Sequence, residues 1–83
     1  MPSEFQTILM ALQGDLNRIM LSSIAANQAL SNMLGLYNDA EYSYDKNKRY
    51  THKWAVALDS LANALESFQY NTTRLEDYLN GER

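Results

Sequence analysis

The chain has 83 residues, no cysteine, one proline, three glycines and a net charge of −3, which bounds it to one small domain near the lower limit of unaided folding. The missing cysteines exclude disulfides, thiol catalysis and thiolate-bound metal, and the scarcity of proline and glycine favours long helices over a strand-and-turn fold. Mild acidity disfavours a dedicated nucleic-acid binder.

Ser3-Glu4-Phe5-Gln6 has the form of a capping box, so a first helix is expected from Glu4 to about residue 38. Along it, apolar or small residues recur in alternating steps of four and three: Phe5, Leu9, Leu12, Leu16, Ile19, Ser23, Ala26, Leu30, Met33 and Tyr37. That spacing predicts a helix edge packed against a neighbour. The uncharged stretch from Ile19 to Asn38 is interrupted by Ser22, Ser23, Asn27, Gln28, Ser31 and Asn32, which is too polar for a membrane span. Met1-Pro2-Ser3-Glu4 offers no positive segment ahead of an apolar run, so no export signal and a cytoplasmic location are expected.

Residues 37–54 hold four of the six tyrosines, the single tryptophan, the single histidine and four of the seven basic residues. Residues from about 39 to 50 are expected to form a polar tip, with reversal near Asp45-Lys46. A second helix is expected from about 51 to 79, its edge running through Trp54, Leu58, Leu61, Leu65, Phe68, Thr72, Leu75 and Leu79. Asn80-Gly81 supplies its stop. Facing Tyr37 with Trp54 would set Ser23 against Phe68 and Leu16 against Leu75, opposing small residues to large ones.

The expected fold is therefore all-α: an antiparallel two-helix hairpin with coiled-coil-like packing, forming one domain over residues 1–83. Ile8, Met10, Met20, Leu21, Ile24 and Leu34 lie off the expected edge, so the first helix is apolar around most of its circumference. Covering it calls for another chain, and a homodimer completing a four-helix bundle is the expected solution, with Met10, Met20, Leu21 and Ile24 at the oligomer interface.

Four readings compete for the tip. The plainest is a solvated hairpin end whose aromatics close the bundle. A protein-binding surface fits the clustering of tyrosine, tryptophan and arginine, and assigns partner contact to Tyr42, Tyr44, Lys48, Arg49, Tyr50 and Trp54. A nucleic-acid contact would use Lys46, Lys48, Arg49 and Lys53, against the repulsion of Asp39, Glu41 and Asp45. Catalysis has only His52 to work with, and neither metal-ligand spacing nor a phosphate-cradling loop accompanies it. The expectation is a non-enzymatic protein-interaction module, such as an adaptor, escort or phage-type inhibitor, with no cofactor or metal. Asn71-Thr72-Thr73 matches a glycosylation acceptor, but inside a helix it reads as chance.

A tryptophan near the turn of a small helical hairpin, Trp54-Ala55-Val56, with Tyr78-Leu79-Asn80-Gly81-Glu82 after it, resembles the WXG100 family of secreted bacterial hairpins (the ESAT-6 type). The family's Trp-x-Gly lacks its glycine here, while its Tyr-x-x-x-Asp/Glu signal is satisfied at Tyr78 and again at Tyr37. The resemblance implies export that depends on Tyr78 and Glu82, and a partner hairpin.

Overall fold

The computed structural model describes residues 3–37 and 44–81. Two helices account for nearly all of them, α1 over Glu4–Tyr37 and α2 over Tyr44–Leu79, packed side by side as an antiparallel hairpin. The molecule is a rod of 61 × 19 × 16 Å with a radius of gyration of 18.3 Å, against about 12 Å for a compact domain of this length. A rod two helices thick has one seam and no other interior.

Both helix ends follow from local chemistry. The Ser3 amide donates to Gln6 Oε1 at 3.0 Å and the Gln6 amide donates back to Ser3 Oγ at 3.1 Å, a reciprocal capping box that satisfies two orphan groups. At the other end Gly81 takes φ 75°, which ends α2 after Leu79, and the Asn80 amide closes on the Glu76 carbonyl at 2.9 Å.

The second helix starts earlier than expected. Tyr44 to Tyr50 are helical, so Asp45 and Lys46 belong to α2 and the expected reversal is not there; residues 38–43 lie outside the described residues.

The seam also differs. The buried residues are Ile8, Asp15, Ser22 and Ala29 on α1, and Ala57, Ala64 and Asn71 on α2. They recur every seven positions, as in a coiled-coil seam. Half of the expected edge lies beside them and is half-buried: Phe5, Leu12, Ile19, Ala26 and Met33 on α1, and Trp54, Leu61, Phe68 and Leu75 on α2. Of the rest, Thr72 is half-buried as well, but the leucines are not. Leu9, Leu16 and Leu30 on α1 and Leu58, Leu65 and Leu79 on α2 are exposed, each one residue past an inward position. Small side chains in the inner row let the helices approach closely, which leaves no room for a leucine row in the same groove.

Register is displaced from the expected pairing by one heptad. Phe5 stacks on Tyr78 at 5.3 Å between ring centroids, Asp15 meets Ser67 and Asn71, and the Thr51 hydroxyl lies 3.3 Å from Met33 Sδ. This register places Ser22 level with Leu61, and Ser23 is exposed rather than set against Phe68. Asp15 marks the observed register, in which its carboxylate lies among the Ser67 and Asn71 donors; a shift of one heptad would put Arg74 and Tyr78 in their places.

Candidate functional site

Asp15 is 1% exposed, a carboxylate on the inner row of α1. Such a group is tolerated when hydrogen bonds replace the water it loses. Asn71 Nδ2 donates to Oδ2 at 2.8 Å, Ser67 Oγ donates to Oδ1 at 2.7 Å, and the Arg18 guanidinium donates to Oδ1 from the next turn. Arg74 Nη1 in turn donates to Asn71 Oδ1 at 3.2 Å, which orients the Asn71 amide toward the carboxylate. The Asn71 bond above all, with those from Ser67 and Arg18, holds the Asp15 carboxyl below the usual aspartate range, while burial opposes them. Among the described residues no buried side-chain nitrogen or oxygen lacks a partner. The cluster is a register lock. Its carboxylate accepts from Ser67 and Arg18 at Oδ1 and from Asn71 at Oδ2. Asn71, the residue of the glycosylation-like triplet, is buried within it.

The expected tip residues that the structure describes differ in burial and in flank. Tyr42 and the side chain of Tyr44 lie outside the described residues. Tyr50 and Trp54 are half-buried along the seam, with the Lys53 ammonium 5.8 Å from the Tyr50 ring centroid. Lys48 and Arg49 are exposed, on opposite flanks of α2. Of the basic set considered for nucleic acid, Lys53 shares the Arg49 flank while Lys48 does not. Trp54 sits well inside α2, not in the connection where the WXG100 resemblance would put it.

Two apolar features are better formed. On one flank, Leu21 and Ala25 from α1 and Val56 and Ser60 from α2 line an open groove of about 370 Å³, with Lys53 and His52 at its edge. On the opposite flank, Leu9 and Leu16 with Gln6, Met10, Leu12 and Gln13 border a shallow depression of about 460 Å³. The expected interface residues Met10, Met20, Leu21 and Ile24 are all exposed. They are distributed around α1, however: Leu21 faces the groove, Met20 leans to the leucine flank, and Met10 and Ile24 point away from α2.

Leucine at heptad spacing resembles a seam, so in the sequence the leucine rows read as one. The signal that separates them is the parallel seven-residue row Ile8, Asp15, Ser22, Ala29, whose acid matches Ser67 and Asn71 on α2. Among the described residues no group of three or more His, Asp or Glu could hold a metal ion, and no helix is long and apolar enough to cross a membrane. No protein-family model, no curated protein and no solved structure matches the chain.

Proposed function

We propose that this chain is a non-enzymatic protein-interaction module: a helical hairpin that completes a four-helix bundle with a second copy and engages a protein partner near the Tyr44–Tyr50 end. One observation carries the reading. Among the described residues Ile8 is the only large apolar side chain fully buried, while leucines, methionines, isoleucine and valine are exposed along the whole rod. Leu9, Leu16, Leu30, Leu58, Leu65 and Leu79 share one flank of the rod, and exposed apolar rows of that kind support a surface made to be covered.

Partner contact at the tip is supported by the composition of residues 44–54 and by the exposure of Arg49. Because Tyr50 lies along the seam, substituting it would confuse binding with folding. The test therefore uses Tyr44→Ala with Arg49→Ala in a tagged chain recovered from its native host. Wild type retains a stoichiometric protein partner, and the double variant loses it at unchanged helicity. Equal recovery by the variant removes the tip from the proposal, and salt-dependent recovery of RNA or DNA instead of protein replaces it.

A further inference from the structure

We propose that the leucine rows of α1 and α2 together form the docking face for a second copy of this chain, stacked antiparallel so that the tip of each hairpin lies over the chain ends of the other. The inference deepens the preceding reading, on which its dimer rests, by naming the face and the arrangement.

In an antiparallel pair, equivalent heptad positions of the two helices lie on the same flank. The groove shows this directly, since Ala25 of α1 and Lys53 and Ser60 of α2 hold equivalent positions and line it together. By the same rule Leu9, Leu16 and Leu30 share the opposite flank with Leu58, Leu65 and Leu79, all exposed. Each helix thus carries three inward or flanking rows where a two-helix seam needs two. A stripe of that width is the pattern of helices facing the core of a bundle.

Area supports a second copy. The chain exposes 6387 Å², whereas a compact monomer of its 9.5 kDa mass exposes about 5,000 Å². The excess of about 1,300 Å² exceeds the ~800 Å² that each partner of a standard stable interface buries.

Charge selects the arrangement. The leucine rows contain no ionisable group between Leu9 and Leu30 or between Thr51 and Leu79. The row bordering them on α2 carries two, Lys48 toward the tip and Glu76 toward the chain end, and the matching row of α1 (Gln6, Gln13, Met20, Asn27, Leu34) carries none. Antiparallel stacking about a twofold axis crossing α2 near Ala62 lays α2 on α2, and brings Lys48 of each copy to Glu76 of the other. It also sets Leu58 against the second copy's Leu65. Parallel stacking would lay α1 on α2, leaving both charges against Gln6 and Leu34.

The test is sedimentation equilibrium on the full chain. Wild type sediments at twice its chain mass. Leu16→Glu with Leu65→Glu weakens association by about a hundredfold or more, because it places unpaired charges in a covered apolar face. Leu21→Glu with Val56→Glu, on the groove flank, leaves association unchanged. Because the Leu16→Glu/Leu65→Glu variant tests folding as well as docking, single cysteines supply a second measurement in a chain that has none. Oxidising an equimolar mixture of Leu58→Cys and Leu65→Cys chains gives the mixed disulfide. A wild-type monomer at high concentration overturns the proposal, as does loss of the dimer only on the groove flank. A mixed disulfide between Leu16→Cys and Leu65→Cys chains in place of the first overturns the antiparallel arrangement. Partner recovery through Tyr44 and Arg49 is scored separately, so failure of either experiment leaves the other's result legible.

Discussion

Replacing Ile8 with alanine and, in a second variant, Leu9 with alanine separates the seam from the face beside it. The two are chain neighbours of nearly equal size, yet Ile8 is 1% exposed and Leu9 is 39% exposed. Ile8→Ala removes three buried carbons, about 2.4 kcal/mol at ~0.8 kcal/mol for each. The space left between two close helices raises that to about 3 kcal/mol, inside the range for truncating a buried aliphatic residue. Leu9→Ala removes the same atoms from a site roughly three-fifths covered, about 1.4 kcal/mol, and opens no enclosed cavity. In a domain of this size each kcal/mol moves Tm by about 4–8 °C. Ile8→Ala therefore melts roughly 12–24 °C below wild type and Leu9→Ala roughly 6–11 °C below. Circular-dichroism melts at low chain concentration read the difference without a contribution from a second copy. At higher concentration the Leu9→Ala deficit grows, since its side chain lies in the docking face. Equal losses at low concentration, or a larger loss for Leu9, would put the leucine row in the seam and refute the observed register.

Asp15 and two glycines carry three further outcomes. The Asp15 carboxyl is held below the usual aspartate range, so its stabilising contribution is complete above that range and is lost as pH falls through it. Asp15→Asn removes this part of the acid dependence, and urea midpoints measured from neutral to acid pH converge on wild type at the acid end; parallel profiles would show that Asp15 does not couple to folding. Gly14 lies within α1 with no atom within 4 Å of where a Cβ would stand, so Gly14→Ala raises stability by about 1 kcal/mol and Tm by about 4–8 °C; a loss would mean that another surface covers that site. Gly81 holds φ 75°, and Gly81→Ala costs about 1 kcal/mol at the α2 terminus, read as faster amide exchange over its last turn; unchanged exchange would mean the terminal turn is not formed in solution.

Much of the architecture is legible in the residues alone. The capping box at Ser3, the glycine stop at residue 81 and two long antiparallel helices follow from local rules, and Phe5, Leu12, Ile19, Trp54, Leu61 and Phe68 lie beside the seam as their spacing predicts. The seam's inner row is harder to read, because Asp15, Ser22 and Asn71 are polar and hydrophobic periodicity passes over them. Their place becomes evident only when the donors on α2 are matched to the acid on α1, which is a tertiary relation. The register has the same origin: a pairing judged on size alone is blind to a shift of one heptad, and the Phe5–Tyr78 stack and the Asp15 bonds to Ser67 and Asn71 are tertiary contacts. The tip is read from composition, and composition does not say that Tyr50 and Trp54 turn toward α1 while Lys48 and Arg49 point outward on different flanks.

The Asp15 cluster sits near the chain ends, far from the connection, and this has a consequence for how the molecule can change size. Alignment is anchored at one extremity, so the far extremity can be trimmed or extended provided both arms change together by whole heptads. Residues 30–36 and 47–53 face each other across the rod. Excising both blocks yields a shorter hairpin with Ala29 still beside Trp54, whereas excising either alone rotates nothing yet leaves one arm overhanging. Insertions or deletions tolerated over evolutionary time should therefore come as matched pairs toward the connection, and be purged near Asp15.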